Sequence, residues 1–226
     1  MKKLRSLSII SVLMLLITTF VCGCSENENK EKIKQYYNYK IAIYETENLN
    51  YIAGEVDAVF LGDSLTDGYD LNKFYPEYNV LNRGISGDTT IGLENRLKVS
   101  VYDVQPKVAL MLIGGNNMDT MMNNYEQILI GFKDNLPNTE IILLSLTSMS
   151  GEWGKKNQLA AYNNVKIKML AERYGYYFVD LYSALLNLET GEIYAEYTTD
   201  GGHLTDLGYQ VLTREIKPML KLALHE

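Results

Sequence analysis

The sequence predicts an α/β domain whose parallel sheet is covered by helices on both faces. Two observations predict it. Five short apolar runs, at residues 56–61, 79–81, 108–113, 140–146 and 177–181, alternate with stretches of helical spacing at 91–100, 121–135, 157–174 and 206–224. The third and fourth runs are nearly continuous in β-branched and aliphatic residues, as strands buried on both faces are. Strands and helices that alternate in this way bury their apolar surfaces by layering helices on each side of a parallel sheet.

The chain begins with an export signal rather than with part of the fold. Lys2, Lys3 and Arg5 form a positive n-region, and an apolar run from Leu7 to Val21 follows, too short and wrongly flanked for a stable membrane span. The run closes on Val21-Cys22-Gly23-Cys24. This close resembles a bacterial lipobox, which implies cleavage before Cys24 and lipidation of that residue; an ordinary secretory signal with two incidental cysteines is the alternative. Cys22 is the poorer lipidation site, because bulky Phe20 and Val21 precede it. Residues 1–23 are thus expected to be a lipoprotein signal, 24–37 a lipidated cysteine with a polar tether, helical toward its end, and 38–226 one domain.

Both cysteines of the chain lie in the signal, so the domain has no disulfide, no cysteine nucleophile and no thiolate metal site. Only two histidines are present. Neither a metal nor another cofactor is expected. Loss of residues 1–23 removes three positive charges and no negative one, which takes the net charge from -7 to -10. So acidic a surface is a poor partner for nucleic acid, and the lipid is the only expected link to a membrane.

In open parallel sheets, ligands bind beyond the carboxyl ends of the strands. After the first strand comes Gly62-Asp63-Ser64-Leu65-Thr66-Asp67-Gly68, a tight turn with an exposed hydroxyl, although Gly, Asp and Ser are ordinary turn residues. After the second, Asn82-Arg83-Gly84-Ile85-Ser86-Gly87-Asp88-Thr89-Thr90 leads into a helix. There Gly87 can present a backbone N–H to an anion, or the segment is a plain loop capped by Thr89 or Thr90. After the third, Gly114-Gly115-Asn116-Asn117 turns sharply and offers an amide side chain.

Serine needs a base to act as a nucleophile, and the choice is narrow. His225 is penultimate, whereas His203 stands in Thr199-Asp200-Gly201-Gly202-His203, just before the last helix. Asp200, three residues back across two glycines, can accept from the imidazole and fix its tautomer. Ser64, His203 and Asp200 are therefore the candidate nucleophile, general base and orienting acid.

These blocks, in this order, resemble the GDSL (SGNH) hydrolase family: Gly-Asp-Ser-Leu at 62–65, Gly87, Gly-Gly-Asn at 114–116 and Asp200-x-x-His203. The resemblance covers roughly residues 40–222. It implies a three-layer α/β/α, flavodoxin-like fold with a five-stranded parallel sheet, and a small single-domain acylhydrolase. It further implies an oxyanion hole made of the Ser64 and Gly87 N–H groups and the Asn116 amide. One departure stands out. The third block of the family usually reads Gly-x-Asn-Asp, and Asn117 here replaces the aspartate, which puts the local support of Asn116 in question. The serine also lies outside a Gly-x-Ser-x-Gly elbow, which separates the chain from common α/β-hydrolases.

Family membership does not choose a substrate. The compact domain has no insertion long enough for an acyl-binding lid. Eighteen tyrosines suit sugar contacts as well as packing, and Trp153, in the loop after the fourth strand, is a candidate substrate-binding residue. The expectation is a cell-surface lipoprotein esterase that removes short acyl groups, acetyl above all, from carbohydrate. A lysophospholipase or thioesterase with a longer acyl preference, or a non-catalytic glycan-binding lipoprotein, are the alternatives.

Overall fold

The structure, a computed structural model, describes residues 28–226; the expected signal at 1–23 and the expected lipidation site Cys24 lie outside the described residues. The unit that carries the site runs from Lys40 to Glu226, and the described part of the N-terminal unit, residues 28–39, is helical. Helix α1 covers residues 28–48.

Five parallel strands follow: β1 (Ala58–Gly62), β2 (Val80–Gly84), β3 (Val108–Leu112), β4 (Glu140–Leu144) and β5 (Tyr177–Val179). Their order is β2-β1-β3-β4-β5, and every neighbouring pair is parallel. The chain steps outward from β1 to β2 and then crosses back to β3. The strand order therefore reverses between β1 and β3, and ligands of open parallel sheets bind beyond the carboxyl ends of the strands at such a point.

β1 and β3 are buried along their whole length, and their alternate residues feed two separate cores. Val59, Leu61, Ala109 and Met111 point to one face, against Leu93 and Leu97, helix α5 (Met122–Asn135) and helix α7 (Asn157–Tyr174). Ala58, Phe60, Leu110 and Leu112 point to the other, against Tyr69, Tyr75, helix α8 (Leu181–Leu185) and the last helix, Asp206–Ala223. The result is the expected three-layer α/β/α arrangement, with the five-stranded parallel sheet as its middle layer. A two-stranded antiparallel hairpin, Leu186–Asn187 with Glu192–Ile193, lies apart from the sheet. Among the described residues no helix is long and apolar enough to cross a membrane.

Two elements differ from the sequence reading. β2 was expected to stop at Leu81 but runs on to Gly84, because Asn82 and Arg83, which read as loop residues, have partners inside. Asn82 Nδ2 donates to the Thr66 and Tyr69 carbonyls at 2.6 and 3.0 Å, and Arg83 is almost fully buried. The helix expected over residues 91–100 is divided into α4 (Thr90–Asn95) and a π-type turn at Lys98–Tyr102. Arg96, at the break, turns into the interior, and its guanidinium takes three partners besides a carboxylate.

Candidate active site

Ser64 opens a single helical turn, α2 (Ser64–Asp67), directly after β1. The Asp63 side chain caps that turn by accepting from the Leu65 N–H at 3.2 Å. Ser64 Oγ lies 3.1 Å from His203 Nε2, although the two residues are 139 positions apart. His203 Nδ1 lies 2.7 Å from Asp200 Oδ2. The other oxygen of Asp200 accepts the backbone N–H groups of Gly202 and His203 at 2.9 and 2.7 Å. Asp200 therefore folds its own loop around itself before it meets the imidazole. Those hydrogen bonds, the one from the His203 side chain foremost, hold its carboxyl down at about 2. Both side chains are about half exposed, 47% for Asp200 and 48% for His203.

The loop 200–203 is braced by the segment after β4. Ser150 N–H donates to the Gly201 carbonyl at 2.9 Å. Gly201 has a φ of +91°, and a Cβ there would sit 2.4 Å from the Ser150 carbonyl oxygen, so only glycine fits. Trp153, in the short turn Gly151–Gly154, packs on Gly202 and meets the His203 ring edge to face at 6.4 Å between centroids. Trp153 thus stands beside the imidazole and against its loop.

Gly87, with a φ of +81°, lies in the loop between β2 and α4, where Thr89 rather than Thr90 is the cap. Asn116 stands past β3, and its Nδ2 donates to the Asp88 carbonyl at 2.8 Å. That bond ties Asn116 to Asp88, the residue that follows Gly87. Asn117 fastens the third block to α4: its Oδ1 accepts from Thr90 N–H at 3.3 Å and its Nδ2 donates to Thr90 Oγ1 at 2.9 Å.

Beneath these groups lies a pair that the sequence reading missed. Arg96 Nε donates to Asp88 Oδ2 at 2.8 Å, with both side chains nearly inaccessible. Arg96 also donates to the carbonyls of Arg83 and Gly62, at 2.8 and 2.9 Å, and to Ser100 Oγ at 2.8 Å. It joins the carboxyl ends of β1 and β2 to the Gly87–Asp88 loop. The available signal was a charged residue between Leu93 and Leu97 on an apolar helix face. Asp63 was passed over as well. Burial, reinforced by the nearby Asp88 charge, pushes its carboxyl up to about 6. The described residues contain no group of three or more His, Cys, Asp or Glu arranged to hold a metal ion.

A model of the GDSL-like lipase/acylhydrolase family matches residues 60–211. No curated protein matches the sequence. Among solved structures, a Streptococcus pneumonia protein described as a platelet activating factor is 26% identical, with a TM-score of 0.79 over 88% of this chain and 99% of that one. A GDSL-like lipase from Bacteroides thetaiotaomicron is 26% identical, with a TM-score of 0.73 over 83% of this chain and 99% of that one. An acetylxylan esterase from Geobacillus stearothermophilus shares the fold at 22% identity, with a TM-score of 0.61 over 75% of this chain and 95% of that one.

Proposed function

The chain belongs to the GDSL-like lipase/acylhydrolase family and is an ester-cleaving hydrolase, and from that premise we propose that it works through Ser64, His203 and Asp200 on short acyl esters of carbohydrate. The observation that carries this reading is the continuous hydrogen-bonded line from Ser64 Oγ through the imidazole to Asp200.

Ser64 Oγ attacks the ester carbonyl while His203 Nε2 takes its proton, and Asp200 holds the ring in the required tautomer and stabilises the imidazolium. The carbonyl oxygen becomes an oxyanion, held by the N–H groups of Ser64 and Gly87 and by Asn116 Nδ2. As the tetrahedral adduct collapses, the ester C–O bond breaks and His203 gives the proton to the departing alcohol. Water then attacks the acyl-serine by the same path in reverse and yields the acid and free Ser64. Ester and water are consumed, and acid and alcohol are released.

The open position of the site supports the substrate class. Half-exposed His203 and Asp200 leave room beside the serine for a bulky sugar acceptor. The acetylxylan esterase with the same fold is one instance of such chemistry on this scaffold. The lipobox-like Cys24 supports attachment to the cell surface, where polymeric glycans are accessible; Cys24→Ala is expected to move the protein from the membrane to the soluble fraction.

The test is hydrolysis of nitrophenyl esters from acetyl to palmitoyl by the full chain, beside Ser64→Ala. A preference for acetyl and an inert variant are expected. Faster turnover of long chains would replace the carbohydrate reading with a lysophospholipase or thioesterase, and an equally active Ser64→Ala would overturn the serine mechanism.

A further inference from the structure

We propose that Lys40, on helix α1 and outside the span matched by the family model, is a positioning residue for the oxyanion-binding loop. The proposal rests on the reading of the Gly87 N–H as an oxyanion donor.

Lys40 Nζ donates to Asp67 Oδ1 at 2.9 Å, and the two side chains are only 18% and 9% exposed, so solvent screens the pair weakly. The other oxygen of Asp67 accepts twice from Ser86, from its N–H at 3.1 Å and from its Oγ at 2.6 Å. Ser86 immediately precedes Gly87. Asp67 is in turn the last residue of α2, the turn that Ser64 opens, and its own N–H donates to the Asp63 carbonyl at 2.9 Å. One carboxylate thus joins the turn of the nucleophile to the loop of the oxyanion donor, and Lys40 holds that carboxylate from outside.

The register of Lys40 is fixed along its helix. Positions 40, 44, 47 and 48 share one face. Tyr44 Oη donates to the Gly84 carbonyl at 2.6 Å. Glu47 and Asn48 accept from Arg83, whose guanidinium lies 4.4 Å from the centre of the Tyr44 ring. Gly84 lets α2 sit directly on β2, since a Cβ there would lie 2.2 Å from Asp67 N. The helix face, the strand end and the serine turn therefore form one packed block.

Lys40 acts in two ways on this block. Its hydrogen bond orients the carboxylate that Ser86 reads, and its charge offsets a negative charge beside the place where the oxyanion develops. Both effects strengthen in the transition state and leave ground-state binding alone.

The test compares the full chain with Lys40→Met, Lys40→Arg, Ser86→Ala and the Lys40→Met/Ser86→Ala double variant on the acetyl ester. Lys40→Met is expected to lower kcat about tenfold, less than the loss of a whole donor, with KM within about twofold. Affinity for a boronic acid that forms the tetrahedral serine adduct should fall by the same factor, and Lys40→Arg should recover most of the loss. The double variant should be little worse than Ser86→Ala alone. A lowered Tm with unchanged kcat, or fully additive effects, would overturn the proposal. If Lys40→Met does not fold, Ser86→Ala decides, since it cuts the same link from the loop side without changing any charge: its kcat must fall at constant KM, and a normal kcat overturns the proposal. Ser64→Ala is run alongside; activity surviving in that variant would sink the serine mechanism itself rather than the role of Lys40.

Discussion

Two pairs of ionisable side chains lie near the carboxyl ends of the strands under opposite conditions. Asp200 and His203 meet at 2.7 Å on the surface, each about half exposed. Asp88 and Arg96 meet at 2.8 Å in the interior, at 3% and 1% exposure. The open pair is partly solvated, contributes little to folding and, in the proposed mechanism, exchanges a proton with Ser64 through the imidazole. The sealed pair is expensive to leave half-made. Burial raises the Asp88 carboxyl, and the Arg96 cation and its hydrogen bond work against that rise. The proposed mechanism thus gives chemistry to side chains that solvent can reach, and alignment to charges that it cannot.

The largest expected effect sharpens this contrast at its open end. His203→Ala should lower the rate of ester hydrolysis by about 10⁴-fold or more, while its unfolding free energy stays within about 1 kcal/mol of the wild type. Kinetics beside denaturant unfolding measure both, and a large stability loss would show that the loop 200–203 is structural.

At the sealed end the order reverses. Arg96→Met should destabilise the fold by about 3 to 5 kcal/mol, because it strands the buried Asp88 carboxylate. Adding Asp88→Asn should restore part of that loss. A double variant no better than the single one would mean that Arg96 acts through the Gly62 and Arg83 carbonyls instead.

Asn116 lies between the two regimes, exposed itself but tied to the Asp88 carbonyl. Asn116→Ala should raise the barrier by about 3 kcal/mol, seen as a fall in kcat of about a hundredfold with little change in KM.

The smallest effect concerns Asp63, whose carboxyl titrates at about 6 against 3.8 for an ordinary aspartate. The folded state therefore holds a proton that the unfolded chain releases between those values. Stability from this group is fully present below about pH 4, declines as pH rises to about 6, and is level above. Between pH 7 and pH 4, wild type should gain about 2 to 3 kcal/mol over Asp63→Asn. Parallel unfolding curves at the two pH values give the difference, and an unchanged gap would place the Asp63 titration elsewhere.

Much of this site was legible in the sequence because its parts are local. Asp200 and His203 are three residues apart, and two intervening glycines let the carboxylate fold back. Ser64, Gly87 and Asn116 each follow a strand whose apolar run is plain. The sealed pair was not legible in the same way. Arg96 sits in a stretch of helical spacing and reads as an ordinary helix residue, yet its inward turn divides that helix. Arg83 read as a loop cation because nothing nearby in sequence announces its partners, Glu47 and Asn48, more than thirty residues away.

The sequence by itself determined the α/β alternation, the strand ends that carry the candidate site and the identity of the histidine proposed to serve the serine. These follow from periodicity, turn residues and short spacings, which act over a few positions of the chain. Tertiary structure alone decided that Ser64 and His203 lie 3.1 Å apart, that Asp88 and Arg96 are sealed beneath them, and that Lys40 reaches Asp67. Those contacts depend on how strands order themselves in the sheet and on which charges the packed layers exclude from water, and neither is encoded at any single position.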